Sequence, residues 1–357
     1  MTMNNCDKQR KIGILTFHCA KSYGAVLQCY ALSQTISRLF PDNVTGIVDY
    51  CPLRFASAGK RGDSEAFRNF ITSHMNFITP QSTSLKECLA GSGITDIVVG
   101  SDQVWNPTIL KDTLKEYFLC DIPENINKHS YAASFGVAEL SCPPEINDIL
   151  GSALQDFKSI SVREASGIDI CKKLGRKGAV RVLDPTLLAG REVFDPIADE
   201  SSALTASVVG FFLSPTPLQI KVLKTIAREK NIRRSDVLVL NRKTPFFSFI
   251  KSSLHPEIKD FLHAIKNAQY VVTDSFHGVC FAVLFEKQFI ILPSKRKERF
   301  TRIAEMLEML DLSERVMYGN QISDAKSILN STIDFENICK RLLTLRKHSL
   351  DFLKNII

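Results

Sequence analysis

The chain has 357 residues, 45% hydrophobic and 23% charged, which excludes disordered, collagenous and low-complexity classes. That length exceeds what a single core usually fills, so two domains are expected. The net charge of +7, from 45 Lys and Arg against 38 Asp and Glu, suits an anionic small substrate or an anionic membrane surface as well as nucleic acid.

The first eleven residues, MTMNNCDKQRK, are polar and lack the apolar stretch of a signal peptide. A strand is predicted at 11–17 (KIGILTF), then a helix at 24–39 with Val26, Leu27, Tyr30 and Ala31 on one face. Further strands are predicted at 94–99, 130–134, 159–162 and 180–183, with a helix at 165–174 between the last two. After a polar stretch at 195–205 the pattern restarts. Strands at 206–213, 236–240, 269–273 and 289–292 alternate with helices at 218–230, 256–267 and 278–285.

The last part is helical. Phe300, Ile303, Leu307 and Leu310 share one face. A terminal helix carries Ile338, Leu342, Leu345, Phe352 and Ile356 on one side and Lys340, Arg341, Arg346, Lys347 and Lys354 on the others. It reads as a packed helix with a solvated basic face, and more sharply as one drawn to anionic lipid headgroups. The fold class expected is α/β: two Rossmann-like, doubly wound domains at 1–195 and 200–335, then an amphipathic helix at 336–357.

Ten cysteines are scattered, and the closest pair, Cys19 and Cys29, is ten apart. No CxxC or zinc spacing occurs, so they read as reduced, mostly buried thiols, and no metal is expected. No apolar run reaches the roughly 18 residues of a membrane span. The expected location is cytoplasmic, with the inner membrane face as a further expectation.

In open parallel sheets, ligands bind beyond the carboxyl ends of the strands. Five predicted strand ends carry polar clusters: HCAKSYG (18–24), GSDQVWNP (100–107), FG (135–136), Arg163 in SVREASG, and DSFHG (274–278). The first and last open helices, whose free N–H groups suit phosphate. There is no P-loop. The sole GxG, at Gly91 and Gly93, precedes its strand and fails the dinucleotide context. HExxH and GxSxG are missing too, so dehydrogenase, kinase and zinc-hydrolase readings lose ground.

The segments ILTFHCAKSYGAVLQCYAL (14–32), DIVVGSDQVWNP (96–107), SYAASFG (130–136), SVREASG (161–167), VLDPTLL (182–188), YVVTDSFHGVCFAVLFEKQFI (270–290) and RFTRIAEML (299–307) follow one another in an order that resembles the polysaccharide pyruvyl transferases. That resemblance implies two Rossmann-like domains facing a cleft, as in GT-B glycosyltransferases. It implies phosphoenolpyruvate as donor and a pyruvate ketal built on a sugar of a capsular or exopolysaccharide repeat unit. A hexose with free 4- and 6-hydroxyls such as galactose, in a lipid-linked precursor, is the implied acceptor. Many relatives have Asn-Tyr-Gly where this chain has Ser22-Tyr23-Gly24.

Ketal formation must hold a doubly anionic donor, protonate its methylene carbon and deprotonate an attacking hydroxyl. It requires no redox cofactor, and cations on the protein can balance the donor charge. His277 is the first candidate for the acid or a phosphate contact. The alternative is a core histidine bonded to backbone. Arg163 suits the donor's carboxylate or phosphate, the alternative being an ion pair with Glu164. Lys297 or Arg299 is a candidate second cation: a basic residue about twenty positions after the histidine favours Lys297, by family analogy, and the RF-plus-helix pattern favours Arg299. Asp102 is a candidate base or acceptor ligand, against a turn or cap role. Ser101 and Gln103 flank it; Trp105 is read as a core residue before a sugar platform. Ser22, Tyr23 and Gly24 are placed on the acceptor side. Asp274, Ser275 and Gly278 shape the turn presenting His277, Asp184 caps the next element, and His18 is structural. Two competing readings are a GT-B nucleotide-sugar glycosyltransferase and a non-catalytic polysaccharide-assembly protein. Nucleic acid is not an expected partner, because the basic residues are dispersed.

Overall fold

A computed structural model describes residues 9–53, 65–213, 215–240, 250–293, 297–319 and 321–356, without the side chains of 297–299. In chain order the elements are β1 Lys11–Leu15, α1 Tyr23–Leu39, β2 Val44–Ile47, α2 Glu65–His74, α3 Leu85–Leu89, β3 Asp96–Val99, α4 Pro107–Leu110, α5 Leu114–Tyr117, β4 Asn127–Ala133, α6 Pro144–Gln155, β5 Phe157–Val162, α7 Ala165–Lys173, β6 Val180–Arg181, α8 Pro185–Ala189 and α9 Asp195–Asp199. They continue as β7 Val208–Phe211, α10 Pro217–Glu229, β8 Val237–Leu240, β9 Lys251–Ser253, α11 Ile258–Asn267, β10 Tyr270–Thr273, α12 Phe276–Leu284, β11 Gln288–Ile291, α13 Lys297–Leu310, α14 Ile322–Asn330 and α15 Phe335–Ile356.

The strands form two sheets, ordered β2-β1-β3-β4-β5-β6 and β11-β10-β7-β8-β9. Every pairing within them is parallel. A parallel sheet covered by helices on both faces needs apolar residues on both faces of its strands. That is why VLVL and the last three residues of DIVV read as apolar runs, and all four residues of each strand are buried. Strand order reverses between β1 and β3 in one sheet and between β7 and β10 in the other. Such switch points open a crevice beyond the carboxyl ends. Both crevices face the junction between the two halves.

The halves share apolar packing. One core cluster runs from Ile12 and Tyr23 through Phe194 and Phe261 to Leu353. The short helix α8, which follows β6, packs on α1, α12 and α15. The segment α9 packs on α11 of the second half. The terminal helix α15 returns to the first half: Ser349 Oγ accepts the Leu183 N–H at 3.0 Å, and Arg346 Nε donates to the Leu187 carbonyl at 2.7 Å. Arg346 is thereby withdrawn from the basic face. Lys340 and Arg341 are exposed and pair with Glu336 and Asp311. Among the described residues no helix is long and apolar enough to cross a membrane.

At the opposite end of the first sheet, Asp96 is buried and accepts Thr95 Oγ1 at 2.7 Å and Asn127 Nδ2 at 2.8 Å, with His129 Nε2 at 3.6 Å. Burial alone would raise this carboxyl; His129, Thr95, Asn127 and Arg10 outweigh it and bring it down to about 2. The folded state therefore favours the carboxylate, and this stabilisation of about 2 kcal/mol is present at neutral pH and lost as pH falls from about 4 toward 2. Denaturant unfolding of Asp96→Asn is expected to show a loss of about 2 kcal/mol at pH 7, and a smaller loss at pH 3.

Candidate active site

The loop between β10 and α12 is built to present one histidine. Thr273 Oγ1 accepts the Ser275 N–H at 3.0 Å and donates to the Phe211 carbonyl at 2.7 Å, closing the strand end. Ser275 is the N-cap of α12, its side chain accepting the Gly278 N–H. A Cβ at Gly278 would overlap Thr273 Oγ1, so only glycine lets the helix start this close to the strand. Asp274 is buried and accepts the Leu213 N–H at 2.7 Å, tying the loop to the end of β7.

The start of α12 meets the start of α1. A Cβ at Gly24 would overlap His277 Nδ1 and stand 2.4 Å from its Cγ, so the imidazole lies directly on the glycine backbone. Beside it Tyr23 is buried, stacks on Phe261 at 4.3 Å and donates its hydroxyl to the Pro256 carbonyl at 2.6 Å. The SYG and FHG segments thus interlock across the junction.

Behind this contact runs a buried polar chain. Ser134 Oγ and Arg163 Nε both donate to Glu164 Oε1 at 2.8 Å. Arg163 Nη1 donates to Asp184 Oδ2 at 3.0 Å, and Ser101 Oγ donates to the same oxygen at 2.9 Å. His277 Nε2 faces that oxygen at 3.7 Å, an ion-pair separation beyond hydrogen-bond length. The guanidinium lies 4.4 Å from the centroid of the Phe276 ring. Burial pushes the Asp184 carboxyl up, but His277, Arg163 and the Thr186 N–H outweigh it and hold it below the usual carboxylate range. Burial also opposes the Arg163 charge, and Glu164, Asp184 and Asp102 outweigh it.

Arg163 is 4% exposed and His277 8%. The recess beside Arg163, lined also by Arg181, Arg302 and Met306, is about 10 Å³, the space of one water. Arg163 Nη2 has no hydrogen-bond partner among the described residues. The halves are closed on each other here, and the guanidinium has almost no contact with solvent.

The other candidates distribute as follows. Asp102 lies beyond β3 with a left-handed φ of 73°, half-buried, its Oδ1 accepting the Gln103 N–H at 2.8 Å. Gln103 Oε1 accepts from Asn106 Nδ2 at 2.8 Å. Ser101 is fully buried in the chain to Asp184. Ser22 is the N-cap of α1 but makes no side-chain cap bond, and it is exposed. Trp105 is fully buried and donates to the Tyr117 carbonyl at 2.9 Å, a core residue. His18 Nε2 pairs with Asp49 at 2.9 Å. The side chains of Lys297 and Arg299 lie outside the described residues. Among the described residues no group of three or more His, Cys, Asp or Glu is placed to hold a metal.

Sequence reasoning missed Ser134 and Phe276 as partners and gave Asp184 only a capping role, while the Arg163–Glu164 pair it weighed as the alternative is present. Asp184 does cap α8, through Oδ1 and the Thr186 N–H at 2.9 Å, but its second oxygen is the centre of the chain. The signal was its place at the end of β6, a sixth polar strand end. The thiols of Cys19 and Cys51, far apart in sequence, share a hydrogen bond that lowers Cys51 and, with burial, raises Cys19.

The sequence pattern of the polysaccharide pyruvyl transferases matches residues 23–296, from Tyr23 in the first interlocking segment to beyond His277 in the second. The chain belongs to this family. A pyruvyl transferase frame of two parallel α/β halves is GT-B-like, and solved structures agree. The UDP-GlcNAc 2-epimerase from Neisseria meningitidis, bound to UDP-GlcNAc, superposes with a TM-score of 0.56 at 9% identity, covering 97% of this chain and 99% of that one. The UDP-GlcNAc 2-epimerase from Methanocaldococcus jannaschii gives a TM-score of 0.54 at 12% identity, covering 91% and 93%. At such identities the likeness is one of fold. Among curated proteins no relative matches.

Gly24→Ala is expected to cost about 1–3 kcal/mol of stability by overpacking against the His277 ring. His277→Ala in the same chain recovers part of that loss. A double-mutant cycle by denaturant unfolding checks it, since independent sites would simply add.

Proposed function

We propose that this pyruvyl transferase moves the pyruvyl group of phosphoenolpyruvate onto two hydroxyls of one sugar in a capsular or exopolysaccharide repeat unit. The acceptor class is a hexose with free 4- and 6-hydroxyls, such as galactose, carried on a lipid-linked precursor. One observation carries the reading: the family pattern spans both halves, and its two helix-opening segments meet at Gly24 and His277.

The reaction converts the donor's methylene to a methyl group by adding a proton. The C2 centre becomes oxocarbenium-like, one sugar hydroxyl adds to it with loss of a proton, phosphate leaves with the C2–O pair, and the second hydroxyl closes the ketal. His277, at the start of α12, serves as the proton donor or phosphate contact. The N-terminus of α12, with Ser275 and Gly278, favours the phosphate. Arg163 supplies positive charge next to His277 and meets the donor when the halves part; Lys297 or Arg299 is the second cation. Asp102, with Gln103, is the base or hydroxyl ligand on the acceptor side and Ser22 lies on its other wall, while the buried Ser101, Tyr23 and Gly24 hold these segments in place. No redox cofactor enters these steps. The exposed Lys347 and Lys354 on α15 support a location at the inner membrane face, where a lipid-linked acceptor sits.

The test is an acceptor panel with phosphoenolpyruvate. Phosphate release and a mass gain equal to pyruvic acid less one water are expected on one saccharide. His277→Gln, still folded, is expected to lose at least about 100-fold in rate. Cleavage of UDP-sugars with no use of phosphoenolpyruvate would favour a nucleotide-sugar transferase on the same frame. Unchanged function in His277→Gln and Arg163→Ala would favour a non-catalytic assembly role.

A further inference from the structure

The two oxygens of Asp184 have different duties. Oδ1 is committed to the Thr186 N–H and fixes the carboxylate to α8. Oδ2 gathers Ser101 and Arg163 from its own half and faces His277 Nε2 of the other half at 3.7 Å. That nitrogen is buried and has no hydrogen-bond partner among the described residues. The opposite edge of the ring rests on the Gly24 backbone, which leaves it little freedom to turn away. Its separation from Oδ2 is roughly 1 Å longer than a hydrogen bond.

We propose that Asp184 is the positioning residue of this site, a carboxylate anchored in the first half that aligns His277 of the second half with Arg163 whenever the two halves close. Asp184 has almost no access to solvent and touches no substrate in this account. It acts through the two side chains it holds. The aim of His277 therefore depends on a carboxylate of the other half. The catalytic consequence rests on the pyruvyl-transfer reading; the link between the two side chains does not.

The decisive variant is Asp184→Asn, which keeps the shape and the acceptor for the Thr186 N–H. Selective ¹⁵N labelling of the seven histidines, with His277 assigned by loss of its signal in His277→Gln, reads the ring directly. The His277 ring signals at pH 7 are expected to move in Asp184→Asn and to hold in Glu164→Gln, which removes the charge of Arg163's other partner without touching His277. In the same Asp184→Asn protein, kcat for phosphate release is expected to fall about 10–100-fold, with KM for phosphoenolpyruvate changing less. Ring signals that stay put, or that move equally in Glu164→Gln, overturn the proposal. If Asp184→Asn does not fold, Ser101→Ala carries the test: it frees Oδ2 of one donor while keeping the charge, and unmoved signals there are equally fatal. Signals that move in a protein inert toward phosphoenolpyruvate sink the enzymatic reading and leave the link standing. Pyruvyl transfer with unmoved signals does the reverse.

Discussion

The structure turns on a pair of charges held out of water. Arg163 and Asp184 are each almost fully buried, and removing an ion from water costs several kcal/mol before any partner is found. The junction offsets that cost by satisfying nearly every valence. Glu164, Ser101, the Thr186 N–H and the face of Phe276 are all spent on these two groups. The hydrogen-bonding partners come from the ends of β3, β5 and β6, all in the first half, and the second half adds the Phe276 ring and the approach of His277 from the start of α12. A buried pair of this kind adds little net stability compared with apolar packing, but breaking one side of it is expensive. It therefore fixes how the strand-end loops of the first half are arranged more than it strengthens the fold.

The topology explains why the pair sits there. A parallel α/β sheet buries apolar residues along its strands and leaves polar loops at the carboxyl ends. Two such sheets, each with a switch point, turn those loops toward one junction. The helices that follow begin at the same place, so α1 and α12 aim their N-termini at a common volume. Glycine at two positions makes the approach possible: Gly278 lets α12 start against Thr273, and Gly24 lets the His277 ring lie on α1. On the far side Glu305 of α13 accepts the Ala165 N–H at 2.6 Å, and Arg181 donates to its carbonyl at 3.1 Å, so the start of α7 is also held across the junction.

Much of this frame was legible in the sequence. The long apolar runs marked β3, β7, β8 and β10 because buried parallel strands have little choice of residue. The strand β2, VTGI, was not found: four residues with a glycine give no periodic signal. The edge strand β9, KSS, is polar and was invisible for the same reason. His277, Arg163, Ser275 and Gly24 could be placed at strand ends and helix starts from local pattern, and the structure puts them there. Their pairing could not be read this way. The bond from Arg163 to Asp184 and the approach of Asp184 to His277 join residues 21 and 93 positions apart by number, and no local rule predicts which of several acidic residues closes such a chain. The ion pair with the neighbouring Glu164 was weighed as the alternative for Arg163, and it is present, but alongside a second carboxylate. Trp105, read from the sequence as a core residue in preference to a sugar platform, is fully buried.

The central claim is that the site lies between the halves and admits its donor by parting them. A crystal structure with phosphoenolpyruvate bound tests it most directly. The account predicts donor density between the N-termini of α1 and α12, within about 2.6–3.2 Å of His277, with the ring lifted from Gly24. Donor bound elsewhere, with the His277–Gly24 contact intact, would contradict it.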